Sequence, residues 1–301
     1  MILVLKCIIE ESKTTCFVRY KAQNSEGKNM KKKKIYLYEE KENVFLEATL
    51  HKDKKQADKR PAVIVCPGGG YLVVGTTEGS PSANKFFSKG FNTFVLNYSI
   101  LSAAKFDENN PDDFAPVKDL ERAVDYIRNN AGELNIDSEK VCIAAFSAGG
   151  HLAARYCFTH EDVKEKIKAL ILVYPMLDFR YKIGPASDME DVFQTELFKS
   201  VSRELFGKFP PDESAIKKFS NHVLLDEMSK DECQDIPPLF IHHAKNDKIV
   251  SFKSTEDVIE ILDNKNILYE AFLTEDGIHA NPFYDSAWFE SAISWLNKIL
   301  A

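Results

Sequence analysis

Ser147 lies in Ala145-Phe146-Ser147-Ala148-Gly149-Gly150, between an apolar run that reads as a strand (KVCIAAF, 140–146) and a stretch that reads as a helix. A serine hydroxyl is a weak nucleophile unless it is held rigidly against a base. A sharp strand-to-helix turn holds it so, and forces a strained backbone at the serine. The positions two before and two after must be small, because strand and helix nearly touch there; Ala145 and Gly149 meet that demand. The competing reading is a helix end merely capped by Ser147, and it weakens once the partners of the serine are counted.

The second constellation is Cys66-Pro67-Gly68-Gly69-Gly70-Tyr71, directly after the apolar run AVIVC (62–66). Attack on an ester carbonyl places negative charge on its oxygen, and backbone N–H groups must already point at it. Glycines permit that close approach because no Cβ intervenes. Gly69 and Gly70 are the expected loop donors to this oxyanion hole, joined by the amide of Ala148, the residue after the nucleophile. A phosphate-binding loop is the rival, but the GK[ST] ending and the G-x-G-x-x-G pattern are both missing.

The acid and the base of such a site follow the nucleophile in the order Ser, Asp, His. Asp247 stands in HHAKNDKIV, right after the apolar run 237–243, and His279 stands in TEDGIHA, after the run 267–273. Both fall at carboxyl ends of strands, the edge at which ligand sites of open α/β sheets form. The expected triad is therefore Ser147, Asp247 and His279. Asp178, after the strand-like run 169–174, is the competing acid, whereas Asp276 is too near His279 in sequence and reads as a loop acid. His151 is expected to pack along a helix leaving the site. His242 and His243 alternate faces at a strand end, and a metal site using them with Asp247 lacks a spaced third histidine.

Those residues need a scaffold, and the pattern supplies one. From Ile35 onward, short apolar runs alternate with longer amphipathic stretches, as in a mostly parallel sheet of about eight strands flanked by helices. Ile35–Tyr38 and Val44–Leu50 read as an opening hairpin, and TFVLNY (93–98) as a buried strand. Helical spacing links Val117, Leu120, Val124 and Ile127, then Phe252, Thr255, Val258 and Leu262, then Phe289, Ile293, Leu296 and Leu300. Residues 178–235 break the alternation with Pro185, Pro210 and Pro211, and read as a small helical cap inserted into one catalytic domain over 30–301. Tyr71, Phe193, Leu197 and Phe198 are candidates for the pocket wall, with packing of cap on core as the competing role.

The net charge of -7 argues against nucleic acid as a partner, because phosphate binding needs a concentrated basic surface. The basic run Lys31–Lys34 is followed by Glu39, Glu40 and Glu42 and reads as a solvated turn. The six cysteines lack paired metal spacing, and Cys66 and Cys142 sit in apolar runs as small hydrophobes. No segment approaches the ~20 apolar residues of a membrane span, and the start, MILVLKCIIEE, lacks a cleavage site. A cytoplasmic, reducing setting is expected, with no membrane partner. Residues 1–29 read either as an extension upstream of a natural start at Met30 or as an edge hairpin.

At PGGGY (67–71), EGSP (78–81), DLERAVDYIRNNAGELNID (119–137), FSAGGHLAA (146–154), NDKIV (246–250) and GIHA (277–280) the chain resembles the acetyl esterase and carboxylesterase families of α/β hydrolases, acetylxylan-esterase-like proteins included. The resemblance covers roughly residues 60–300. It implies the α/β-hydrolase fold, removal of short acyl groups, typically acetate, from alcohols or sugars, and no cofactor. The expected partner is thus a small-molecule or oligosaccharide ester. Ala145 stands where glycine is usual, and Pro67 where histidine often opens the glycine loop; neither change touches a catalytic atom. An exopeptidase using the same triad is the alternative enzyme. A binding module on a retired hydrolase fold is the alternative outside catalysis, and it usually follows loss of a triad member.

Overall fold

Strands β1 (Met30–Tyr36), β2 (Phe45–His51), β3 (Arg60–Cys66), β4 (Asn92–Asn97), β5 (Ile136–Phe146), β6 (Ala169–Val173), β7 (Leu239–Ala244) and β8 (Tyr269–Thr274) form one sheet. Its order is β1-β2-β4-β3-β5-β6-β7-β8. The pairs β1–β2 and β2–β4 are antiparallel and every later pair is parallel. The computed structural model describes residues 30–52, 59–180 and 189–301, with the backbone alone described for 189–195. The expected extension or hairpin over residues 1–29 lies outside the described residues.

The apolar runs expected to be strands are strands, and their alternate residues feed two cores. Ala62, Ile64, Val141, Ile143 and Ala145 face one side, packed by α2 (Ala115–Asn129), α3 (Ala148–Thr159) and α7 (Phe252–Lys265). Val63, Val65, Cys142, Ala144 and Phe146 face the other, packed by α1 (Gly79–Ser88) and α8 (Ala287–Ile299). Burial on both faces is why the central strands carry near-continuous apolar runs. β8 lies at the edge, where partly buried and exposed positions mix. The helix stripes match expectation too: Val117, Leu120, Val124 and Ile127 of α2 are all buried.

Between β6 and β7 the chain leaves the sheet and forms α4 (Met189–Phe206), α5 (Glu213–Phe219) and α6 (Asn221–Glu227), within the span read as a cap. These helices seat on aromatic contacts: Phe179 on Phe198 at 5.2 Å, and Phe106 on Phe219 at 5.1 Å between ring centroids. The α5–α6 corner also hangs on α3. Asn221 Nδ2 donates to the His151 carbonyl at 2.8 Å, and Arg155 Nη1 donates to the Lys218 carbonyl at 3.0 Å. Among the described residues, no helix is long and apolar enough to cross a membrane.

Candidate active site

Ser147 sits between β5 and α3 with φ 51° and ψ -117°. Only glycine adopts such angles without strain, so the surroundings must impose them. They do so through two bonds: the Ser147 amide donates to the Val173 carbonyl at 3.1 Å, and its carbonyl accepts the Met176 amide at 3.0 Å. The tightness of the turn is measurable at Gly149. A Cβ there would lie 2.2 Å from the Cys66 carbonyl oxygen and 2.4 Å from that of Pro67. Gly149→Ala is therefore expected to destabilise the fold by about 3 kcal/mol or more, since backbone on both sides must shift. Urea denaturation of the variant, or failure to recover folded protein, checks this.

His279 Nε2 lies 2.9 Å from Ser147 Oγ, and His279 Nδ1 lies 2.7 Å from Asp247 Oδ2. The tautomer that fits has Nδ1–H donating to the carboxylate, which leaves the Nε2 lone pair to accept the serine proton. Asp247 Oδ1 accepts the amides of Ile249 and Val250 at 2.8 and 3.0 Å. Burial works to raise the Asp247 pKa, but the charge and hydrogen bond of His279, with help from His243, hold it well below the usual carboxylate range. Two loops bring these groups together. Asn246 Nδ2 donates to Asp276 Oδ1 at 2.7 Å, and Asn246 Oδ1 accepts the Gly277 amide at 2.9 Å. The acid loop and the base loop are thus stapled to each other.

The glycine loop lies against the serine: a Cβ on Gly68 would come within 2.7 Å of the Ser147 Cβ. Gly68 is no oxyanion donor, because its amide is given to Glu78 Oε2 at 2.6 Å. The amides of Gly69 and Gly70 donate to no backbone carbonyl among the described residues. The Ala148 amide opens α3 and has no preceding turn to bond. Gly69 and Gly70 take φ of 120° and 63°, and a Cβ on Gly69 would strike the Val73 carbonyl oxygen at 2.1 Å.

Of the competing residues, Asp178 is engaged elsewhere. It accepts from Arg180 Nη2 at 2.6 Å and from Ser220 Oγ at 3.0 Å, with His222 Nδ1 at 3.2 Å. Asp276 belongs to the loop staple. His151 does more than pack: the Tyr71 hydroxyl donates to its Nδ1 at 2.8 Å, while its Nε2–H donates to the Phe219 carbonyl at 2.8 Å. Tyr71 and Phe198 are buried packing residues rather than pocket wall, Leu197 packs against the core, and Phe193 lies outside the described side chains.

Three residues near the triad were not assigned from the sequence. His243 is buried with Nε2 3.3 Å from Asp247 Oδ2, and its Nδ1 is 2.7 Å from Thr255 Oγ1. Glu78 is buried beneath the glycine loop and accepts the Tyr174 hydroxyl at 3.0 Å. The Tyr174 ring lies 4.6 Å from the His279 ring. The available signals were slight: a second histidine beside His242, and a carboxylate within EGSP.

Two histidines held neutral give the fold an acid liability. Burial pushes the pKa of His151 down to about 3 and that of His242, stacked on Trp288, down to about 4. In the unfolded chain both titrate near 6.5. As pH falls from about 6.5 toward 4, the unfolded chain takes up protons that the native state refuses. Stability must then drop, by on the order of 1 kcal/mol per histidine per pH unit. Glu78, raised by burial, acts with the opposite sign in the carboxylate range. Thermal melts between pH 7.5 and 4.5 are expected to show a falling Tm; a flat profile would contradict it.

The protein-family model described as BD-FAE matches residues 49–262, which takes in the glycine loop, Ser147 and Asp247. The chain belongs to the BD-FAE family. This BD-FAE member is 30% identical over 260 residues to endo-1,4-beta-xylanase B of Butyrivibrio fibrisolvens, covering 82% of this chain and 36% of that one. It is also 30% identical over 124 residues to an acetylxylan esterase of Xylanibacter ruminicola, covering 41% of this chain and 24% of that protein. It therefore spans about a third of the first curated relative and about a quarter of the second. Among solved structures, MGS-M1, an α/β hydrolase from a Medee basin deep-sea metagenome library, aligns with TM-score 0.65 at 25% identity, over 91% of this chain and 99% of that one. An acetyl ester-xyloside bifunctional hydrolase from Caldicellulosiruptor lactoaceticus aligns with TM-score 0.68 at 23% identity, over 89% and 96% of the two chains. The fold of this BD-FAE member is the α/β-hydrolase fold.

Proposed function

We propose that this BD-FAE member is a carboxylic ester hydrolase that removes short acyl groups, acetyl foremost, through an acyl-enzyme on Ser147. The carrying observation is the continuous line from Ser147 Oγ to His279 Nε2 at 2.9 Å and from His279 Nδ1 to Asp247 Oδ2 at 2.7 Å. His279 takes the Ser147 proton as Oγ attacks the ester carbonyl, and Asp247 steadies the imidazolium that forms. The amides of Ala148 and of Gly69 or Gly70 receive the oxyanion. On collapse His279 returns the proton to the leaving alcohol, and water then repeats the attack on the acyl-enzyme. No step calls for a cofactor.

Acetylated sugars are the proposed natural substrates, a reading supported by the acetylxylan esterase among the relatives. We assign α4–α6 the role of a cap that shapes the pocket. A reducing, cytoplasmic setting is supported by Cys66, Cys142, Cys157 and Cys233, all buried as free thiols. Hydrolysis of p-nitrophenyl acetate, butyrate and octanoate is the test. kcat/KM is expected to fall at least tenfold from acetate to octanoate. Turnover of aminoacyl anilides but not of esters would replace this reading with an exopeptidase.

A further inference from the structure

Glu78 stands beside the triad and takes no part in the scheme above. It is 2% exposed, yet it is a carboxylate whose two oxygens both accept: Oε2 from the Gly68 amide and Oε1 from the Tyr174 hydroxyl. Both bonds suit the ionised form, whose oxygens are acceptors only. Burying that charge is costly, and an apolar or neutral side chain would fill the space with a smaller penalty. The carboxylate therefore needs a reason to be there.

Its two bonds reach both halves of the site. On one side it fixes Gly68, whose carbonyl accepts the Gly75 amide at 2.9 Å, closing the loop around the carboxylate. The direction of the next two amides, Gly69 and Gly70, follows from that anchor. On the other side it fixes Tyr174, which leaves β6 with φ 38° and lays its ring beside His279. The imidazolium of His279 is the cationic group that its charge meets, and this attraction offsets part of the rise that burial imposes on the Glu78 pKa.

We propose that Glu78 is a positioning residue that holds the glycine loop and the catalytic imidazole in one frame, and that its negative charge is a second counter-charge to the His279 imidazolium beside Asp247. The inference rests on the triad reading. His279 gains a proton as Ser147 attacks, so a fixed anion near it in a dry site favours the transition state over the ground state. The groups facing this charge are Tyr174 from the end of β6, Tyr98 from the end of β4, the Gly68 amide and His279, with Asp247 behind the imidazole.

Glu78→Gln and Tyr174→Phe test it, read by kcat and KM for p-nitrophenyl acetate and by the rate of Ser147 labelling with a fluorophosphonate, each across pH. Glu78→Gln keeps the shape and can keep both contacts, its amide oxygen accepting from Gly68 and its NH2 donating to the Tyr174 hydroxyl, but it loses the charge. Its kcat is expected to fall roughly 10- to 100-fold with KM little changed. With an anion removed, the imidazolium is less stable. The acid limb of kcat/KM and of labelling therefore moves to lower pH, by about half a pH unit or more. Tyr174→Phe keeps the charge, so its kcat falls about three- to tenfold while the acid limb stays in place. A folded Glu78→Gln with an unmoved acid limb overturns the counter-charge. Should Glu78→Gln fail to fold, an unchanged kcat in Tyr174→Phe overturns the shared frame on its own. A wild type that neither cleaves the ester nor takes the label removes the triad reading itself. An active wild type, silent as Ser147→Ala but unaltered as Glu78→Gln, removes this inference alone.

Discussion

Ser147→Ala is expected to lower kcat for p-nitrophenyl acetate by on the order of 10⁵-fold or more, and to abolish fluorophosphonate labelling, with the fold intact. In the proposed mechanism the Ser147 Oγ is the one atom of this site that forms a covalent bond to the substrate, and no neighbouring group replaces it. Alanine keeps the Cβ against which Gly68 packs, so the glycine loop has no reason to move. It also keeps the backbone bonds to Val173 and Met176 that impose the positive φ. What remains is binding and the oxyanion amides, which in serine hydrolases retain a small acceleration over water. Circular dichroism and a thermal melt matching the wild type, together with lost turnover, are the expected pair. Turnover within tenfold of wild type would mean that Ser147 is not the nucleophile.

Asp247→Asn is expected to cost about 10³- to 10⁴-fold in kcat with KM little altered. The asparagine amide can donate to His279 Nδ1, which selects the tautomer whose Nε2 carries the proton and cannot take another. Asparagine also withdraws the charge that His279 and His243 face. Asp178→Asn supplies the contrast. Its carboxylate serves Arg180, Ser220 and His222, so that variant is expected to lower Tm while kcat stays within tenfold. The reverse result, a crippled Asp178→Asn and an active Asp247→Asn, would move the acid role to Asp178.

That contrast also marks where the sequence stops being informative. The order Ser147, Asp247, His279 and their positions after apolar runs are visible because burial on both faces writes strands as continuous hydrophobic stretches. Seven of the eight strands and the three helix stripes were legible through their apolar runs and the 3.6-residue period, but most of β1 was not: Lys31–Lys34, whose charges read as a solvated turn, pair in register with Glu47–Leu50 of β2. Two aspartates at the same sheet edge differ in their remote neighbours, His279 for Asp247 and Ser220 with His222 for Asp178, which no local pattern records. Glu78 is harder still. Its partners, Gly68 and Tyr174, are remote along the chain, and a lone glutamate before a helix looks like any solvated acid. His151 was read as a packing residue, since its bonds to Tyr71 and Phe219 appear only after three segments converge.

The staple between the acid and base loops has a consequence for how this protein can change. Asn246, Asp276 and Gly277 fasten Asp247 to His279 without help from α4–α6, and Ser147 is set by β5, β6 and α3. Among the described residues, the helices above the sheet meet the glycine loop through Val201, which faces Gly70, and through Phe219, which meets Tyr71 edge-on and whose carbonyl accepts from His151. On the proposed role of α4–α6, chemistry and substrate choice are carried by separable parts. Exchanging α4–α6 for the matching helices of another α/β hydrolase, with the Phe219 and Asn221 anchor points retained, should redirect preference in a single graft and leave the reacting groups untuned. Such modularity lets a lineage explore new esters without first losing the old reaction.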